Sequence, residues 1–392
     1  MIDLLAPLSL IRDPARFGGV TAGDCLHGTP IIRDGRLVGL TSPTGGTPTM
    51  ILPQLVEAHC HLDKCHSVHR LGPVGGTLSE AIVTQRADKA NWTAQDLRTR
   101  TARGLTEAHA AGCRLIRSHV DWGDTADPPL AWSVLGELAQ NSPGLQRSAL
   151  LGIAQLADPD FARAIGPLLA SDNATLGTFV LGQPEASAGL RAAFDIAMRH
   201  GLMLDFHVDE GLGDLNGLEQ IADIAIKTGF EGPILCGHAV SLIDRDGDTL
   251  RRIIDKLLAA RITVCALPTT NLYLQGRRDG TPDRRGLTRL RELHAAGVPI
   301  SVASDNVADA FCPTGQHDPM AALSLAVLSA HLDPPLGQWL PAITTHAAAA
   351  LGQDPVHIDG AQLDNLLICD VTHTADLVAG RAALTPARKR LT

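Results

Sequence analysis

Mostly apolar stretches recur along the middle of the chain, at 51–58, 114–119, 149–154, 175–181, 202–206, 233–236, 262–266 and 299–303. Runs of this length and continuity predict strands buried on both faces, as in a parallel sheet. Between them lie longer segments of helical pattern, such as 94–111, 189–200, 218–227, 249–260 and 286–296. Eight strands alternating with helices predict an α/β fold of the closed (β/α)8 TIM-barrel kind. The rival is an open doubly wound sheet, but no Gly-x-Gly-x-x-Gly turn follows the first strand.

The two chain ends have a different texture. Residues 1–50 are rich in Gly, Pro and Thr, and Asp34-Gly35 stands between apolar runs as a hairpin signal. Short β-like pieces return after residue 358, at Leu366-Leu367-Ile368-Cys369 and from Asp376 to Arg381. A lone hairpin is marginal in water, so the ends are expected to complete one small β-sandwich domain, 1–50 plus 358–392. That leaves 51–357 as the barrel. There is no internal repeat and no low-complexity segment.

Composition narrows the chemistry. Hydrophobic residues make up 45% of the 392 and aromatics only 3%, so core volume must come from Leu, Ile, Val and Ala. A formal charge of −9 argues against nucleic acid as partner, because phosphate binding needs a basic surface. The 8 cysteines are scattered without a Cys-x-x-Cys, which reads as reduced thiols in a cytosolic protein. No early segment has the layout of a secretion signal and no apolar run is long enough to span a bilayer, so a cytoplasmic protein with no membrane partner is expected.

In such a barrel, function gathers at the C-terminal ends of the strands, and here those ends are polar. The first strand runs into His59-Cys60-His61. Residues two apart on a strand share a face, so both imidazoles can aim at one point, a metal-ligand geometry. Taken alone, the pair could equally include a core histidine. The second strand ends in His119 and Asp121, the third in Gln155, the fifth in His207-Val208-Asp209-Glu210, the sixth in Gly237-His238, and the eighth in Ser304-Asp305-Asn306. Four strands delivering five histidines, with an aspartate after the eighth, are hard to explain as structure alone.

This pattern resembles the amidohydrolase superfamily, and within it the bacterial-type cytosine deaminases, over nearly the whole chain. Segments that carry the resemblance include Arg117-Ser118-His119-Val120-Asp121, His207-Val208-Asp209-Glu210, the run Asn271 to Arg277, Ser304-Asp305-Asn306-Val307 and Pro313-Thr314-Gly315. The resemblance implies one divalent metal ion, Zn or Fe with Mn also accepted, held by His59, His61, His207 and Asp305. No lysine lies in 175–181 to bridge a second ion. Such an ion lowers the pKa of bound water toward neutrality. Asp305 would take the water's proton, His238 would stabilise charge, and Glu210 would shuttle a proton to a ring nitrogen. Gln155 suits the O=C–N–H edge of a pyrimidine-like ring, although capping the backbone is an equal expectation from the residues themselves. Phe311 falls where an aromatic ring would flank the substrate. Lys64 is expected as an ion-pair partner or solvated charge, His119 and Asp121 as residues orienting the ligands or as a structural pair, and His66 and His69 as solvent-facing or lid residues. A second metal beside Cys60 and Cys65 is not expected.

One departure concerns substrate. Similar cytosine deaminases carry a second Asp after the metal-binding one, and this chain has Asn306. An amide cannot ion-pair with a departing amine. His66, Val68 and Gly72 also depart from the pattern. The expected activity is therefore hydrolytic deamination of cytosine or a related aminated N-heterocycle, a small-molecule substrate. A cyclic amidase, or a hydrolase of N-alkylamino-triazine-type rings using the same metal site, is the alternative. No interface is legible, and the resemblance allows a homo-oligomer.

Overall fold

The computed structural model describes residues 2–391 and contains two sheets. The chain enters through β1 (Asp3–Pro7), β2 (Val20–Ala22), β3 (Cys25–Arg33), β4 (Arg36–Thr41) and β5 (Pro48–Pro53). It then forms β6 (Leu55–Cys60), β7 (Cys113–Asp121), β8 (Leu145–Gly152), β9 (Thr175–Val180), β10 (Leu204–Val208), β11 (Ile234–His238), β12 (Ile262–Ala266) and β13 (Ile300–Val302). It finishes with β14 (Leu366–Cys369) and β15 (Thr385–Pro386).

Strands β6 to β13 pair in parallel with their sequence neighbours, in order. The ring is closed just beyond β13, where the Asp305 N–H donates to the His59 carbonyl at 2.9 Å and Cys60 bridges to Asp305. Helices such as Ala94–Ala110, Ala186–His200 and Gly247–Ala259 connect the strands. The architecture is the expected (β/α)8 barrel. Its strands are mostly buried, β10, β11 and β12 along every residue, which is why they read as mostly apolar runs.

The second sheet has the order β15-β14-β5-β1-β3-β2, with β4 on β3, and so is built from both chain ends. Here the stretch expected as one strand, 51–58, divides. Residues up to Pro53 pair with β1 and β14, with Ile51 opposite Ile368, while β6 starts the barrel at Leu55. Gln54 alone separates them, and its N–H donates to the Asn365 carbonyl at 2.9 Å. Both flanking strands are buried, so the apolar pattern runs across the seam without a break.

Two further differences bear on the site. The third barrel strand starts earlier than 149 and stops at Gly152, and a short helix, Ile153–Leu156, carries Gln155. A helix not expected from periodicity, Leu78–Lys89, lies along the cavity described below. Its start is a capping box in which Thr77 Oγ1 accepts from the Glu80 N–H and Glu80 Oε2 accepts from the Thr77 N–H. All eight cysteines are buried and unpaired. Among the described residues, no helix is long and apolar enough to cross a membrane.

Candidate active site

Strand β6 delivers Glu57 and His59, and His61 follows two residues on; all three are buried. Strand β10 brings His207, and the turn after β13 brings Asp305. His207 Nε2 lies 3.1 Å from Nε2 of both His59 and His61, and Asp305 Oδ1 lies 3.3 Å from His61 Nε2 and 3.6 Å from His59 Nε2. Donors placed about 2.1 Å from a tetrahedral ion would stand roughly 3.4 Å apart, so these spacings suit one shared cation. The electrostatics agree. Burial, reinforced by the neighbouring imidazoles, holds His59 and His207 well below the ordinary histidine pKa, so their nitrogens are neutral lone-pair donors. Burial alone would raise Asp305, but the facing His61 and His238 outweigh it and keep the group below its usual value. Neither Asp305 oxygen has a well-formed hydrogen bond. Buried polar atoms left this way are rare in native proteins, and a divalent cation would satisfy them.

His238 ends β11, and Asn271 Nδ2–H donates to its Nδ1 at 3.0 Å, leaving Nε2 to carry the ring proton. That Nε2 is buried without a partner. Burial draws the His238 pKa down to about 4. Glu210 Oε1 lies 3.7 Å from His238 Nδ1. Burial, with repulsion from Asp305, pushes the Glu210 carboxyl well above the ordinary range, which favours its protonated form. Three of the strand ends here carry non-glycine residues with positive φ, Asp209 (51°), His238 (70°) and Asp305 (62°). Such left-handed backbone is uncommon outside glycine and collects at functional sites.

A supporting layer lies beneath. Asp205, two residues before His207, accepts from Arg117 Nη1 at 3.1 Å, and its other oxygen lies 3.1 Å from His119 Nε2. The His119 ring sits 4.0 Å, centroid to centroid, from His59. Lys64 is buried and pairs with Asp121 at 2.8 Å, so it forms the ion pair and is not solvated. Glu57 accepts from the Ser304 N–H at 3.1 Å across the barrel seam, and burial pushes its pKa up to about 8. Asp205 and Glu57 escaped the sequence reading, although each is a charged residue at even spacing before a site histidine within an apolar strand. His66 departs from its solvent-facing expectation: its side chain is buried against Glu107 at 3.2 Å, because the loop after β6 folds inward. His69 is exposed.

A cavity of about 440 Å³ opens onto this cluster. His61, His207, Glu210, His238 and Asp305 face it, as do Gln155, Asn306 and Phe311. The Gln155 amide is engaged at both ends, its Oε1 accepting from the Gly152 N–H at 2.8 Å and its Nε2 donating to the Gly123 carbonyl at 2.6 Å. It thus takes the backbone-capping arrangement. Asn306 Nδ2 donates to Asp309 Oδ2 at 2.7 Å, and burial pushes the Asp309 carboxyl up to about 7. Lys64 Nζ stands 4.9 Å from the Phe311 ring centre. The helix Leu78–Lys89 adds Leu78, Ile82, Arg86 and Lys89 to the wall.

A barrel with convergent imidazoles and a carboxylate at its strand ends defines a class. The sequence model of the amidohydrolase family matches residues 91–359. This chain belongs to the amidohydrolase family, and it is a hydrolase. Among individual proteins, it is similar to a pterin deaminase of Rhizobium rhizogenes, 33% identical over 356 residues covering 87% of this chain and 81% of that one. In structure it is similar to 5-methylcytosine deaminase from Klebsiella pneumoniae, with a TM-score of 0.78, 24% identity, and 97% and 94% of the two chains covered. It is also similar to N-isopropylammelide isopropylaminohydrolase from Burkholderia multivorans, with a TM-score of 0.71, 21% identity, and 99% and 97% covered. At these identities the structural likenesses speak for the fold.

Proposed function

We propose that this amidohydrolase is a metal-dependent deaminase. It would hydrolyse the C–N bond of an aminated N-heterocycle and release ammonia, with a pterin-type bicycle as the leading substrate and cytosine second. The observation that carries the reading is Glu210: a buried carboxyl, its pKa raised by burial, beside the imidazole–carboxylate cluster and facing a cavity roomy enough for a fused ring. The 33% identical relative favours the pterin, and Asn306 in place of the expected aspartate weighs against cytosine.

His59, His61, His207 and Asp305 would hold one divalent ion, and these N and O donors accept Zn, Fe or Mn. When bound, the ion supplies Lewis acidity and lowers the pKa of water toward neutrality. The chain's own groups then handle protons. Glu210 donates its proton to the ring nitrogen beside the amine-bearing carbon, which makes that carbon electrophilic. Asp305 takes a proton from the attacking water and passes it to the departing amine, and the remaining hydroxyl proton returns to Glu210 as the C=O forms. His238 Nε2–H donates to the oxygen as the C–O bond forms. The balance is one C–O bond made and one C–N bond broken, with water consumed and ammonia released. Phe311 packs against the ring face, while Asn306 and Gln155 contact the ring edge. For Gln155 this requires release from Gly123. In the same reading the small β-domain, expected as 1–50 with 358–392 but running on through β5 to Pro53, is scaffold, and the barrel from Leu55 carries the chemistry.

The test is ammonia release by metal-loaded protein from pterin, cytosine, isoguanine and aminotriazines. Turnover of one of these with stoichiometric ammonia is expected. Release of an alkylamine from an N-alkylamino-triazine, or opening of a cyclic amide, with no ammonia from the panel, would reject deamination.

A further inference from the structure

A second cluster of potential ligands lies outside the site described above. Cys65 Sγ, a His66 ring nitrogen and a His317 ring nitrogen all lie within 4.8 Å of one another. Cys65 and His317 are fully buried, and the His66 side chain is 5% exposed. Both nitrogens of His317 lack any hydrogen-bond partner, an arrangement with a real cost inside a protein. Glu107 Oε2 lies 3.2 Å from His66 Nε2 but stands outside this three-residue cluster. The Glu107 side chain is 35% exposed, which gives an ion a way in from solvent.

We infer that Cys65, His66 and His317 form a second metal site for a zinc-class cation. One thiolate and two imidazoles supply three of zinc's four tetrahedral donors and leave one position for water, and the sulfur selects against Mg and Ca. On binding, the Cys65 S–H bond breaks, its proton leaves to solvent, and an Sγ–metal bond forms; no redox partner is involved. The thiol otherwise has only the carbonyls of Leu62 and Arg100, at 3.4 and 3.5 Å.

The three donors come from two segments: the loop after β6 and the turn before the helix Pro319–Ser329. An ion there staples the two together. The stapled loop begins with His61 and Lys64, so the site would fix the loop that presents them. This inference does not rest on the proposed deamination.

The experiment is metal titration of the metal-free full-length protein, first with zinc and then with cobalt(II). Two equivalents per chain are expected, and the cobalt form should show thiolate-to-cobalt charge-transfer absorption. The catalytic cluster has no sulfur and cannot produce that band. Cys65→Ser should lose the band and one equivalent, and His317→Gln should weaken that equivalent at least about tenfold. His207→Ala should keep the band while losing the other equivalent, so failure at one site is distinguishable from failure at the other. Wild-type protein that binds a single equivalent without thiolate absorption, or a band that survives in Cys65→Ser, overturns the inference.

Discussion

Two buried carboxyl environments set the barrel mouth against the small β-domain. In the β-domain, Asp3 accepts from the Thr29 hydroxyl at 2.6 Å, the Thr44 N–H at 3.2 Å, and the N–H groups of Gly45 and Gly46, each at 3.0 Å. Those donors, the Thr29 hydroxyl foremost, hold its pKa down to about 2. At the mouth, Glu210 receives no hydrogen bond from any described residue, and desolvation drives its pKa up instead. Both groups are buried and polar. The first is saturated by its own chain and serves the fold, whereas the second is left open toward a cavity. For these two carboxyls, hydrogen-bond saturation, more than burial, separates the one that serves the fold from the one left open at the mouth.

That contrast can be broken most sharply at the metal cluster. His207→Ala should lose the catalytic metal and lower kcat/KM by on the order of 10⁴-fold, equivalent to the several kcal/mol a Lewis acid contributes; metal analysis and steady-state kinetics check this together. Full activity in that variant would mean the open groups are not functional. Glu210→Gln should keep the metal and lower kcat by about 10²–10⁴-fold. The acid form of Glu210 is the working form and its pKa is raised, so wild-type activity should fall as pH rises through that pKa. A pH–rate profile of the weakened Gln variant should lack that alkaline limb.

Smaller effects sharpen the comparison. Asp205→Asn removes the carboxylate beneath His119 and should weaken metal binding by roughly 10–100-fold without touching a ligand, measurable by chelator competition. Asn306→Asp should shift the kcat/KM ratio toward cytosine over pterin by roughly tenfold, a pairwise substrate comparison. At the other pole, Asp3→Asn should leave kcat unchanged and lower Tm at pH 7. The Asp3 pKa is depressed in the folded state, so its contribution is present above about 4 and disappears as pH falls to about 2. Thermal melts across that range should show wild type and variant converging.

Much of the barrel was legible because strands buried on both faces leave unbroken apolar runs, and the site because polar residues end those runs. His59 and His61 were visible through strand alternation. The passage at Gln54 was not, since β5 and β6 are equally buried and one residue carries no pattern. The helix Leu78–Lys89 was missed because its apolar residues form no clear stripe; Thr77 and Glu80 were the available signal. Gln155 shows the limit for side chains: the sequence gives an amide near the mouth, but only coordinates show it tied to Gly152 and Gly123. The meeting of Cys65 and His66 with His317 joins positions with no local relation, which only the closed ring creates.

That closure has a bearing on biogenesis. His59 and Asp305 come from the first and last staves of the ring, joined where the Asp305 N–H meets the His59 carbonyl. A ribosome has released three of the four donors well before the last emerges, yet they have no enclosed pocket until the eighth stave docks. In the proposed reading, metal capture at that junction would mark completion of the ring, and a nascent chain stalled before Ile300 would carry most of the chemistry with no place to perform it.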